Sequence, residues 1–248
     1  MSAHLELFVL TWGVYPRRII LYLAEKGLLF SPLIKISPVH ISQQGMVGPD
    51  GKPPGTVPSL KLPDGTFIKQ SISILDFFED ICDHPDPNQA WQVNIANSAT
   101  NRKSMRGETP SHRARTRDMV SLADEATSQF GFACHKGTKL FVSMEMTNAL
   151  TAKLVLEYCK KNLKLLDAYY DGDKRLEGDL QVNIADCILF SLLHFSKDLY
   201  SLDLLSDPEL PNLKAFYKAF EKRESAKVEE NHFPPNIKEL ASQWLPVD

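Results

Sequence analysis

Long apolar runs are missing from these 248 residues, and none approaches the length needed to cross a bilayer. A charge excess is missing as well. Lys and Arg number 28 against 31 Asp and Glu, a formal net charge of −3, which points to neither nucleic acid nor an anionic membrane surface. Cysteine is scarce: Cys82, Cys134, Cys159 and Cys187 are widely spaced, with no C-x-x-C pair. They read as buried, reduced thiols of a cytosolic protein. His4, His40, His84, His112, His135, His194 and His232 are scattered without metal-ligand spacing, and no zinc or phosphate-loop motif occurs, so no metal is expected. The start, Ser2-Ala3-His4-Leu5-Glu6, lacks the charged lead and apolar stretch of a signal peptide, and a cytoplasmic location is expected. No repeat or low-complexity tract appears.

What is present is a strand and helix order in two parts. Leu5 to Leu10 is almost continuously apolar, as in a strand covered on both faces. A loop from Thr11 follows, with Pro16 at the first position of a helix over Arg17–Lys26 that turns Ile20, Leu21, Leu23 and Ala24 inward and stops at Gly27. Phe30 to Ile36 reads as a second strand, parallel to the first. Ser37 to Gly55, rich in Gly, Pro and Gln, reads as a long loop, with a short helix or a lid as its alternatives. Next, Gly55-Thr56-Val57-Pro58 leads into a strand at Ser59–Leu62, where a proline is tolerated at the strand entry. Pro63-Asp64-Gly65 turns the chain back through Thr66–Lys69, and Gln70-Ser71 opens a helix to Cys82. A proline-edged strand beside a helix N-terminus suits a small peptide carrying a carboxylate.

After His84-Pro85-Asp86-Pro87 comes a polar stretch around Trp91 and Ile95 that reads as a linker, with room for one short docked helix. From Thr109 onward the spacing is helical. Thr109-Pro110 forms a cap and first turn, and Met119, Leu122, Ala123, Ala126 and Phe130 keep helical register. Leu150, Leu154, Tyr158, Leu165 and Tyr169 mark another helix. Asn183-Ile184-Ala185-Asp186 is a capping-box variant before a run apolar nearly all round, the expected central helix. Pro211 to Glu224 is a further helix, and the tail with Phe233-Pro234-Pro235 and Trp244 is expected to wrap a surface. The expected organisation is therefore 1–83, an α/β domain of βαβ-ββα order; 84–108, a linker; and 109–248, all helical.

Leu5–Leu10, Arg18–Gly27, Val57-Pro58-Ser59-Leu60, Gln70-Ser71-Ile72-Ser73-Ile74 and the Asn183–Asp186 cap, in this order and at these spacings, resemble the cytosolic glutathione transferases over essentially the whole chain. The resemblance implies a thioredoxin-like first domain and the all-helical second domain of that fold. It implies a cis Val57-Pro58 bond, so that Val57 offers its N–H and C=O to the cysteinyl backbone of glutathione. Gln70 and Ser71 then hold the γ-glutamyl end at the helix start, and Lys52 is a candidate for the glycyl carboxylate, set against an ordinary solvated lysine. The Thr11–Tyr15 loop and Met105–Pro110 look like fungal members, and Gln70-Ser71 resembles the zeta branch. The family is usually a homodimer, with glutathione as co-substrate and no nucleic acid or membrane partner.

Such enzymes lower the pKa of the bound thiol, because the thiolate is the nucleophile. The resemblance places the activating Ser or Cys at position 13, which is Gly13 here. Three substitutes stand nearby: the Tyr15 phenol, the Thr11 hydroxyl, and the Gly13 and Val14 backbone amides. A second-substrate pocket between the halves has Trp12, Phe130 and Phe132 as candidate walls. Arg113, Arg115 and Arg117 place cations at a helix start, against its dipole, for which an anionic substrate, a subunit interface or plain solvation are the open explanations. The leading reading is a transferase that conjugates an electrophilic apolar molecule, in detoxification or secondary metabolism. Its competitors are a glutathione-dependent isomerase, a secondary-metabolite biosynthetic enzyme, and a non-catalytic binding protein on the same fold.

Overall fold

The computed structural model describes residues 5–42, 45–173, 175 and 181–247; Ser2 to His4, and residues 43–44 of the expected loop, lie outside this set. The chain divides into two compact units, Met1–Arg113 and Ala114–Asp248. The division falls inside a long helix, and residues 84–108 group with the first unit.

Strand β1 (Leu5–Val9) is buried along both faces, and helix α1 (Val14–Lys26) follows a turn capped by Gly13. The helix begins earlier than its proline suggests. Pro16 occupies the third helical position, where a backbone N–H has no intrahelical acceptor and its loss costs nothing. Gly27 ends the helix in the left-handed region at φ +74°, and an added Cβ would lie 1.8 Å from Thr100 Oγ1, so only glycine fits. The inward face differs from the apolar reading. Arg17, Arg18, Tyr22 and Lys26 are buried, whereas Ile20 and Ala24 are half-buried.

Phe30 is 94% exposed and lies in no strand, because Leu28 and Leu29 donate back to the Leu23 carbonyl and two further turns follow. The second strand, β2 (Ile34–Pro38), starts later and pairs parallel with β1, Leu5 opposite Ile34. The expected long loop holds neither a helix nor a bare coil. β3 (His40–Ser42) and β4 (Gly45–Val47) pair antiparallel within it. β5 (Ser59–Lys61) pairs antiparallel with β1, Phe8 opposite Ser59, and β6 (Phe67–Ile68) pairs antiparallel with β5. The mixed sheet has the order β2-β1-β5-β6.

Helix α2 (Ser71–Asp83) packs on α1 through a buried charge network. Lys26 Nζ is 2.8 Å from Glu79 Oε1, and Tyr22 donates to the same oxygen at 2.7 Å. Glu79 Oε2 accepts the Met105 N–H at 2.8 Å and the Ser104 hydroxyl at 3.2 Å, while Lys26 also donates to the Lys103 carbonyl. Arg106 bridges Asp80 and Asp83. The stretch read as a linker is thus tied to α1 and α2, and it contains helix α3 (Ala90–Ser98).

The second unit is helical: most of α4 (Pro110–Gly137), then α5 (Ala149–Tyr169), α6 (Ile184–Asp198), α7 (Pro211–Phe220) and α8 (Pro235–Ala241). The N-terminus of α4 is capped by Thr109, whose hydroxyl accepts the His112 N–H. Asn183 and Asp186 form the expected capping box, and Asp186 also accepts from Tyr170 at 2.7 Å and from Arg175 at 2.7 Å. Asp167 on α5 accepts the Leu213 N–H at 2.8 Å and so caps α7. Helix α5 exists where its apolar spacing predicts, but Leu150, Leu154, Tyr158 and Leu165 are each more than half exposed. Its buried side is Ala152, Cys159, Leu163 and Leu166.

Candidate functional site

The β1–α1 turn carries the residues expected to act on a thiol. Thr11 is exposed, and Tyr15 is half-buried with the Arg18 guanidinium 4.6 Å from its ring centre. The Gly13 N–H, one of the expected donors, is committed: it donates to the Leu10 carbonyl at 2.8 Å. Among the described residues nothing accepts the Val14 N–H, so Val14 is an open backbone donor at this helix N-terminus. Gly13 itself sits in ordinary extended backbone (φ −76°) that any residue adopts. A Cβ there would meet the Leu10 carbonyl oxygen and Pro16 Cδ, both at 3.2 Å.

Val57 lies beyond the end of β1, with its side chain buried against Phe8, Leu10 and Val39. Trp12, Met46 and Phe67 pack on the same cluster, which roots Val57 in the sheet. The Val57-Pro58 peptide is cis. Among the described residues neither the N–H nor the C=O of Val57 is hydrogen-bonded, although the residues on either side of it run into ordered structure. A rigid stretch of main chain with both groups open is an edge that a peptide can pair with. Lys52 does not reach out from its loop. Its ammonium donates to the Pro53 and Gly55 carbonyls, both at 2.9 Å, and so fixes the segment leading into Val57.

Ser71 is the first residue of α2, and Gln70 is its N-cap with an exposed side chain that makes no capping bond. The first turn of α2 contains no acidic residue. Behind it, Arg18 is fully buried and donates from Nη1 to Ser71 Oγ at 3.1 Å. With its oxygen accepting from Arg18, the Ser71 hydroxyl keeps its proton for an outside acceptor. Free helix N–H groups, a hydroxyl donor and a buried cation therefore converge on one point, which favours a carboxylate. Arg18 was not among the residues singled out from sequence. Its signal is the spacing Arg18, Tyr22, Lys26, which puts two charges on the buried stripe of one helix.

In the second unit, Phe130 is buried and packs edge-on to Phe195 and Tyr200, while Phe132 is half-exposed under the Lys136 ammonium. The arginine cluster has structural partners. Arg113 donates to the Glu108 carbonyl, and Arg115 stacks on Tyr169 and donates to its carbonyl, where a cation meets the C-terminal end of α5. Burial pushes the Cys82 thiol up to about 11 and the Cys159 thiol up to about 12, so neither is a nucleophile at neutral pH. Among the described residues no cluster of His, Cys, Asp or Glu is placed to hold a metal, and no helix is long and apolar enough to cross a membrane.

Residues 12–81 match the family of glutathione S-transferase N-terminal domains, and residues 135–228 match that of the C-terminal domains. No curated protein sequence matches the chain. Similar solved structures include a glutathione transferase family member from Pseudomonas fluorescens with bound glutathione, at 18% identity and a TM-score of 0.62, covering 90% of this chain and 96% of that one. A glutathione S-transferase from Methylobacillus flagellatus with glutathione bound has 21% identity, a TM-score of 0.62 and the same coverage. Gtt2 from Saccharomyces cerevisiae has 21% identity and a TM-score of 0.64, covering 89% of this chain and 98% of that one.

Proposed function

The chain belongs to the glutathione S-transferase family, and we propose that it binds glutathione along Val57 and at Ser71 and directs the thiolate at an electrophilic, mostly apolar small molecule. The observation that carries this reading is the open main chain of Val57 in the same unit as an anion-binding helix start backed by a buried arginine. The cysteinyl backbone pairs with the Val57 N–H and C=O, and the γ-glutamyl carboxylate accepts from Ser71, with the Gln70 amide beside it. Two structures similar in fold are described as holding glutathione, which supports the same ligand here.

The thiol loses its proton to solvent, and the resulting thiolate is held at the N-terminus of α1 by the Val14 N–H and the helix dipole. Tyr15 and Thr11 are the side-chain donors nearest that turn. The thiolate sulfur then forms a bond to the electrophilic carbon, and the leaving group departs with its electron pair. Charge stabilisation by backbone donors at a fixed helix end needs no side chain at position 13.

Calorimetric titration with glutathione followed by a chlorodinitrobenzene conjugation assay tests the reading. Binding and turnover are expected. Absence of binding at 10 mM would sink it, and binding without turnover would leave only a glutathione-binding protein.

The exposed apolar stripe Leu150, Leu154, Tyr158 and Leu165 on α5 supports a homodimer as the working state. The four unbridged thiols support a reducing compartment such as the cytoplasm.

A further inference from the structure

The geometry points to a preference among thiol peptides, which rests on the glutathione reading above: the site grips the γ-glutamyl and cysteinyl residues and reads no charge at the C-terminus, so glutathione with a neutral C-terminal group binds as well as glutathione itself. Lys52 serves Val57 as a positioning residue and takes no part in holding a carboxylate.

The order β2-β1-β5-β6 brings the ends of several strands to one edge of the sheet. There β1 runs out into the Trp12 turn, β5 is entered from Val57, and β6 runs out into α2. A peptide held by its γ-glutamyl carboxylate at Ser71 and by its cysteinyl main chain at Val57 therefore extends its C-terminal residue away from α2. That residue points towards the Trp12 turn and the segment 39–56. This end is apolar, since Trp12 and Met46 pack on the Val57 cluster. An apolar wall favours a neutral group over a carboxylate, which loses water there without gaining a partner.

The titratable groups of the segment 39–56 are one lysine, one aspartate and one histidine, with no arginine. Lys52 is half-buried, and its ammonium is turned onto the Pro53 and Gly55 carbonyls, both at 2.9 Å. These bonds fix the chain just before Thr56 and Val57, where the main chain must keep one shape to pair with a peptide. The Lys52 N–H donates to the Pro49 carbonyl at 3.2 Å and closes the preceding turn as well. Asp50, exposed in that turn, offsets the charge of the lysine. His40 follows Val39, whose side chain lies in the Val57 cluster, so alternation along the extended chain turns His40 to the opposite side.

The test is calorimetric titration of the full chain with glutathione and with glutathione monoethyl ester, esterified at the glycyl carboxyl, for wild type, Lys52→Met and Lys52→Arg. Wild type is expected to bind the two ligands within about threefold of each other. Lys52→Met is expected to weaken both by the same factor, about tenfold, and Lys52→Arg, which keeps donors for the two carbonyls, to recover most of that loss for both. Thermal unfolding of each variant without ligand reports whether it is folded. An ester bound about tenfold or more weakly than glutathione would overturn the proposal and leave the glutathione reading in place. A Lys52→Met loss seen with glutathione and absent with the ester would do the same, because it puts the ammonium on the carboxylate. Failure of wild type to bind either ligand at about 10 mM would overturn both.

Discussion

Arg18 shows how a charge earns a place in a core. A buried guanidinium has lost its water, and what it gains must come from hydrogen bonds and from the anion it faces. Its bond to Ser71 Oγ makes it a positioning residue for the hydroxyl at the start of α2. Charged hydrogen bonds contribute about 1.5–3 kcal/mol, so Arg18→Met should weaken glutathione binding by roughly 10- to 100-fold. Adding Arg18→Met to a Ser71→Ala variant should change little, because Arg18 acts through the Ser71 hydroxyl; calorimetry over the double-mutant cycle checks this. Gly13 makes a different prediction. Placing a serine there puts a Cβ between the Leu10 carbonyl oxygen and Pro16 Cδ, each at 3.2 Å. Gly13→Ser should therefore destabilise the fold by about 1 kcal/mol or more, read as a lower urea midpoint.

Elements of this chain are joined by buried polar contacts more than their apolar patterns suggest. Glu79 on α2 gathers Lys26, Tyr22, Ser104 and Met105 around one carboxylate. Removing one partner leaves an unpaired buried charge, so Glu79→Ala should cost about 3–5 kcal/mol. Lys26→Met in the same background should recover part of that loss, as denaturant unfolding would show. The elements that could be read from sequence are those whose signal is local. Val57-Pro58 before a short strand, the Pro63-Asp64-Gly65 turn, and the Asn183–Asp186 box all stand where their turn and cap chemistry puts them. Those that could not be read depend on partners far along the chain. Phe30 has strand character but no strand beside it. The β3–β4 pair is only three residues a side. The face of α5 was hidden because an exposed leucine stripe has the same period as a buried one. Val57 and Ser71 stand out in the sequence as candidate positions from their local proline and helix-start signals, whereas Arg18 shows itself only through its spacing with Tyr22 and Lys26 on the buried stripe of α1.

At the scale of the whole molecule, buried phenols and thiols set the response to alkali. The Cys82 thiol is raised by burial from an ordinary 9.0 to about 11, and Cys159 to about 12. Burial also raises Tyr22, Tyr170 and Tyr200. A group with a raised folded pKa contributes its full stability below its unfolded value and loses it as pH climbs towards the folded one. Stability from these groups should thus be level up to about pH 9 and then fall through pH 11, with Cys82→Ala flattening the onset; urea midpoints across pH 7–11 check it. The α5 stripe adds a prediction on assembly. Sedimentation should show a dimer, and Leu154→Glu should shift it to monomer without lowering the content of helix.

The most direct measurement is the thermal unfolding of the full chain with and without millimolar glutathione, run beside Arg18→Met and Ser71→Ala. A ligand at 100 times its Kd adds about 2.7 kcal/mol to the folded state, which for a chain of this size raises Tm by roughly 5–10 °C. Such a rise is expected in the wild type and a much smaller one in either variant. An unchanged Tm in the wild type, or equal rises in all three proteins, would contradict it.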